Sequence, residues 1–270
     1  MNSYRSSFLN TIPPVVKNII AINIILFLAT AVLPSLFVQL GYEVNLNSIM
    51  GMHYWESSKF NPAQLVTYAF MHGGIGHIFF NMFAVYMFGT VLENVWGPKR
   101  FLFYYLVTAI GAGILQQIVW TVEYHSLVAA MKEAAASGLP NVLIPFEGAL
   151  RHLFQFGDIT TLPPSELINL KNMFLDSPQF ITIGASGSVF GLLLAFGWLF
   201  PEERLFLMFI PVPIKARIFV FGYGLVELFQ GVANFTGDNV AHFAHLGGML
   251  FGAILILFWK SKNTLYNNRL

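Results

Sequence analysis

The chain has 270 residues, of which 56% are hydrophobic and only 10% charged, with a mean hydropathy of +0.65. Soluble domains carry about 25% charged residues, so this composition excludes an ordinary globular core and indicates an integral membrane protein. A net charge of +1 gives no basis for nucleic-acid binding, and the absence of cysteine excludes a disulfide framework, a thiolate nucleophile and cysteine-ligated zinc.

A bilayer span needs about 20 mostly apolar residues. Six stretches qualify in chain order: Val15–Phe37, Gly76–Val95, Phe101–Thr121, Phe180–Phe200, Ile214–Phe235 and Val240–Trp259. The predicted fold class is therefore all-α, a polytopic bundle of six transmembrane helices forming one domain over residues 1–270. The first apolar run is too long for a signal h-region and lacks a small-residue cleavage site, so no cleavable leader is expected. Residues 41–68 read as a mixed loop, Gly97-Pro98-Lys99-Arg100 as a short basic turn, Pro201–Pro213 as a proline-broken connection and Phe235–Asn239 as a tight polar turn. Residues 122–179 form a long insert between the third and fourth stretches. In it, Tyr124–Ala136 reads as an amphipathic helix ended by Gly138-Leu139-Pro140. Pro163-Pro164-Ser165-Glu166 reads as the start of another, with Leu167, Leu170, Met173 and Phe174 as its apolar stripe. Val142–Phe156, carrying Pro145, Glu147, Arg151 and His152, is too short and too charged to span. The insert is expected to lie as helices at the outer membrane interface.

Lysine and arginine set orientation through the positive-inside bias. With the N-terminus cytoplasmic, the inner side holds Arg5, Lys17, Lys99, Arg100, Arg204, Lys215, Arg217, Lys260, Lys262 and Arg269, and the outer side only Lys59, Lys132, Arg151 and Lys171. Both termini are therefore expected in the cytoplasm. Spans two, four and six then run inward from a common outer level. Ser186 falls about six residues into span four, ~9 Å deep, and His245 about five residues into span six, ~8 Å deep. His77 stands near the start of span two with Asn81 one turn deeper, so four polar side chains on three helices share one slice of the membrane.

Polar groups inside a bilayer are costly and face a bundle interior or a water-filled cavity. A serine hydroxyl becomes a useful nucleophile when a base takes its proton, and imidazole suits that task near neutral pH. Ser186 with His245 is thus a candidate Ser–His dyad. His77 and Asn81, at i and i+4 on one helix face, are candidate donors to an oxyanion. Among span-embedded acids, Glu93 lies too deep to orient His245, whereas Glu227, toward the outer part of span five, is not excluded by position. Small residues at Gly184, Gly187, Gly191, Gly248 and Gly252 are expected to let spans four and six approach closely. His242 reads as a packing residue, and His72 as one that shapes the outer loop. No HExxH motif is present, so no metal is expected.

Gly184-Ala185-Ser186-Gly187 resembles the GxSG motif of rhomboid intramembrane serine proteases, and Ala244-His245-Leu246-Gly247-Gly248, continuing to Gly252, resembles their AHxxGxxxG motif. His72, His77 and Asn81 resemble the HxxxxHxxxN of the family's second helix, and Glu93, Gly97 and Arg100 its ExxxGxxR turn. The resemblance covers nearly all of the six-helix core apart from residues 122–179. It implies a serine endopeptidase that cuts transmembrane segments of other membrane proteins, with Ser186 as nucleophile, His245 as base, and His77 and Asn81 at the oxyanion site. It implies no cofactor, with transmembrane protein substrates and membrane lipids as partners. The resemblance, with the compact six-helix form, implies a bacterial inner-membrane location. Phe190 stands where some relatives carry a tyrosine against the histidine, which keeps an aromatic ring and loses a hydroxyl. The insert reads either as a variable decoration or as a border of substrate entry. Two rival readings remain: an inactive rhomboid-like protein that binds client helices, against which intact Ser186 and His245 argue, and a solute or proton transporter, for which inverted repeats are lacking.

Overall fold

Five helices are long and apolar enough to cross a membrane in the computed structural model, which describes residues 12–154, 159–207, 210–233 and 240–265. They are α1 (Pro14–Gln39), α2 (Ile75–Trp96), α3 (Pro98–Ser137), α7 (Ala216–Ala233) and α8 (His242–Ser261). Among the shorter helices are α4 (Glu147–Phe154), α5 (Pro164–Leu175) and the 14-residue apolar α6 (Ser186–Leu199). The all-α, polytopic membrane class therefore holds. The turn predicted at Phe235–Asn239, and Arg5 and Arg269, lie outside the described residues.

Four elements differ from their sequence expectations. Tyr124–Ala136 is not a separate interfacial helix. It is the C-terminal part of α3, which runs unbroken for 40 residues until Gly138 adopts φ +72°. Nothing between Thr121 and Tyr124 interrupts helical hydrogen bonding, so polarity alone does not end the helix. Pro201–Pro213 contains an antiparallel hairpin, Arg204–Leu207 with Ile210–Lys215, in which Arg204 pairs with Lys215 and Leu205 with Ile214. Glu202, fully exposed, bridges to Lys215 and Arg217, and these cations hold its carboxyl below the usual carboxylate range. On α5, Leu167, Leu170 and Phe174 are buried, but Met173 is exposed. Finally, span four starts as an extended segment over Ile181–Thr182, and its helix opens only at Ser186.

The described residues divide into two compact units. One is drawn from Met1–Met52, Pro62–Gln116 and Thr182–Leu270, the other from His53–Asn61 and Gln117–Ile181. The second has its own core, in which the rings of Tyr54, Trp120, Tyr124, Phe174 and Phe180 meet mostly edge to face. Gln117 ties the 53–61 segment into it, accepting from the Trp55 N–H at 2.9 Å and donating to the His53 carbonyl at 2.6 Å.

In the first unit, apolar helices leave their ends as the places where polar groups must find partners. The buried Glu93 carboxylate accepts the Val15 and Val16 N–H groups at 3.0 and 2.8 Å and so caps the first turn of α1. Gly97, at φ +77°, turns the chain from α2 into α3. Arg100 donates to the Thr264 carbonyl just past α8 and lies 3.8 Å over the Trp259 ring. The residues of the ExxxGxxR pattern thus close helix ends, far from Ser186. A π-helical turn at Val85–Gly89 interrupts α2 one turn below Asn81.

Helix α6 packs most extensively on α8. The closest approach is at Gly248, where a Cβ would collide with the Gly187 carbonyl. The other small residues work differently from expectation. A Cβ on Gly191 would strike Thr108 and one on Gly252 would strike the Tyr104 hydroxyl, so both receive α3 side chains.

Candidate active site

Ser186 is the first residue of α6, and the chain reaches it through an unusual turn. The Gly184 N–H donates to the Tyr68 carbonyl at 2.9 Å, and Gly184 takes φ +128° to swing from the extended Ile181–Thr182 segment into the helix. A side chain there would be strained by that φ, and its Cβ would stand 2.7 Å from His77 Nε2. Because the helix starts at the serine, the backbone N–H groups of its first turn lack intrahelical partners and carry the positive end of the helix dipole. Ser186 is half-buried.

Helix α8 opens at His242, so His245 lies within its first turn. With Gly248 seated on Gly187, His245 Nε2 comes to 2.9 Å from Ser186 Oγ. Phe190 stacks on the His245 ring at 4.2 Å between centroids with the planes 10° apart, and Tyr223 packs tilted against Phe190 at 4.8 Å. The aromatic ring at position 190 fixes the imidazole plane without any hydroxyl.

The sequence reading supplies no carboxylate to His245; the structure does. Glu227 Oε2 lies 2.8 Å from His245 Nδ1 and 2.7 Å from His242 Nδ1, and all three residues are buried. An ionised carboxylate only accepts hydrogen bonds, and an Nδ1–H tautomer of His245 would leave Nε2 as the acceptor for the Ser186 hydroxyl. Depth was the available signal: Glu227 sits ~9 Å from the end of α7, at 1.5 Å per residue, close to the level of His245. His242, expected to be a packing residue, is a hydrogen-bonding neighbour instead.

His77 projects from the first turn of α2 and is partly exposed. The Gly73 N–H approaches His77 Nδ1 at 3.5 Å, and His77 Nε2 stands close to Gly184. Asn81, one turn deeper on the same face, is buried. Among the described residues no hydrogen bond joins Asn81 to Ser186. His72, on the loop before α2, meets the His77 ring edge to face at 5.0 Å. Burial, and secondarily the neighbouring His77, push the His72 imidazole down to about 4.

Glu227, His242 and His245 also form a donor set able to hold a divalent ion, their ligand atoms lying within 4.8 Å of one another. The 2.7 and 2.8 Å separations are hydrogen-bonding distances, whereas ligands each ~2.0–2.1 Å from one tetrahedral zinc stand more than 3 Å apart. Chemically, the chain hydroxyl–imidazole–carboxylate can take a proton from Ser186, with donors facing the space in front of it.

A model of the Rhomboid domain family matches residues 59–142 and 156–262. The chain belongs to the rhomboid family. Among curated proteins, this rhomboid is similar to RHOMBOID-like protein 12, mitochondrial, of Arabidopsis thaliana, at 28% identity over 77% of the chain and 49% of that relative. It is also similar to the uncharacterized rhomboid protein P4H10.10, mitochondrial, of Schizosaccharomyces pombe, at 28% identity over 78% of the chain and 56% of that relative. The chain spans about half the length of the curated relatives it matches.

Proposed function

We propose that this rhomboid is an intramembrane serine endopeptidase that hydrolyses peptide bonds in or near transmembrane segments of other membrane proteins. The single observation that carries this reading is the 2.9 Å contact between Ser186 Oγ and His245 Nε2, between helices reading as membrane-embedded. His245 Nε2 removes the Ser186 proton as Oγ bonds to the scissile carbonyl carbon. The oxyanion is received by His77 Nε2–H, the Asn81 amide and the first-turn N–H groups of α6, aligned before reaction. The imidazolium then protonates the departing amine as the C–N bond breaks, and His245 next deprotonates the water that cleaves the acyl-enzyme. Ser186 and His77 are partly exposed, which supports access of that water, while Phe190 covers His245. Acyl transfer of this kind uses no cofactor.

The substrates are helices with a small residue before the cut that unwind readily. The proposed topology puts both termini on the Lys- and Arg-rich cytoplasmic face of a bacterial inner membrane, with α6 as a short sixth span. The mitochondrial names of the two relatives point to a different membrane, and accessibility of terminal tags to added protease in the native membrane distinguishes the topologies.

The deciding experiment treats purified protein with a serine-directed fluorophosphonate probe beside Ser186→Ala and His245→Ala. Labelling is expected only when both residues are present. Labelling that persists in Ser186→Ala, or its absence in the folded unmodified protein, removes the assignment. Asn81→Ala is expected to slow peptide turnover by ~10²–10³-fold, the usual cost of one oxyanion donor.

A further inference from the structure

Helix α7 is an unlikely host for a carboxylate. Ile218, Phe221, Leu225, Val226, Leu228, Phe229 and Val232 are exposed around it, and Glu227 is its only acid. An ionisable group at membrane depth is costly unless it is paired, and Glu227 is only 3% exposed. One oxygen, Oε2, meets both imidazole Nδ1 atoms at 2.7 and 2.8 Å. Two N–H donors converging on one oxygen fit a carboxylate anion and two neutral rings, and they fix the tautomer of both.

We infer that Glu227 is a positioning residue that completes a Ser186–His245–Glu227 triad, with His242 as the second donor that anchors the carboxylate to α8. Glu227 holds His245 as the Nδ1–H tautomer, so that Nε2 presents its lone pair to Ser186. When the Ser186 proton moves to Nε2, the Nδ1 proton stays on His245 and the carboxylate stays ionised, so the new imidazolium lies beside a fixed negative charge. His242 keeps its own Nδ1–H and takes no part in the transfer. Its bond to the same oxygen ties the Glu227 rotamer to the helix that carries His245, so small movements of α7 do not break the pairing. The inference deepens the serine-protease reading and rests on it for its kinetic consequence; the tautomer does not depend on activity.

The test is ¹⁵N NMR of histidine-labelled protein in detergent micelles at pH 8, with His245 assigned by its loss in His245→Ala. The expected result is an Nδ1–H tautomer for His245 in the unmodified protein, and loss of that fixed tautomer in Glu227→Gln with the other histidine signals retained. In parallel, the fluorophosphonate labelling rate of Glu227→Gln is expected to fall by up to ~10⁴-fold, as when a triad carboxylate is neutralised in a soluble protease. An Nε2–H tautomer in the unmodified protein overturns the inference, whatever the activity. So does a Glu227→Gln protein with unchanged tautomer and labelling rate. An unmodified protein that holds the Nδ1–H tautomer yet is never labelled would refute the protease reading and leave the Glu227 pairing standing.

Discussion

Replacing Gly248 with alanine tests whether backbone contact between α6 and α8 sets the reactive geometry. The new Cβ would run into the Gly187 carbonyl, with the carbonyl carbon at 2.7 Å. Ordinary carbon–carbon contact is about 3.5–4.0 Å and the Gly187 carbonyl oxygen stands nearer still, so the two helices must part by at least roughly 1 Å. Ser186 precedes Gly187, and His245 lies one turn before Gly248 on the same face. The same displacement therefore stretches the 2.9 Å Ser186–His245 contact beyond hydrogen-bonding range. A misplacement of ~1 Å costs on the order of 10²-fold in rate, and overpacking costs about 1–3 kcal/mol in stability. The assay is the fluorophosphonate labelling rate and the thermal midpoint in detergent, with Gly222→Ala as control, since a Cβ there meets nothing within 4 Å. Gly248→Ala with labelling within threefold of the unmodified protein and an unshifted midpoint would refute the reasoning.

Two further outcomes follow from groups away from Ser186. Glu93→Ala strips the acceptor from two N–H groups of α1. At ~1–3 kcal/mol for each unsatisfied donor, it is expected to lower stability by about 2–6 kcal/mol in denaturation of the micelle-bound protein, while the folded fraction still labels at Ser186; an unchanged midpoint counts against the capping role. His72, held down near 4 when folded and near 6.5 when unfolded, binds its proton more readily in the unfolded chain. Its contribution is fully present above pH 6.5 and is lost as pH falls toward 4, amounting to about 2 kcal/mol between pH 8 and pH 5. His72→Gln is therefore expected to flatten the pH dependence of the thermal midpoint over that window, and an identical slope in both proteins would show that His72 is not responsible.

Membrane character was legible in the linear chain, because lipid burial is written in composition and run length, and Ser186 and His245, which the fold brings together, could be picked out from their motifs. A shared depth for Ser186, His77, Asn81 and His245 follows from the fixed rise of a helix. Other features required the folded molecule. Ser186 is at a helix N-terminus and not inside a helix, because Gly184 bonds to Tyr68, a residue distant in sequence. Glu93 reaches a helix 77 residues away and Arg100 a carbonyl 164 residues away. The small residues of α6 and α8 form a single stripe in sequence, yet Gly187 meets Gly248 and Ala244, while Gly191 and Gly252 take side chains from α3. Above all, the sequence by itself pointed to a serine and a histidine at a common helix depth, and only the tertiary structure placed Glu227 behind that histidine. Depth is set by counting residues along each helix. Rotation about the helix axis is set by packing, and in helices apolar on nearly every side it leaves little trace in the pattern.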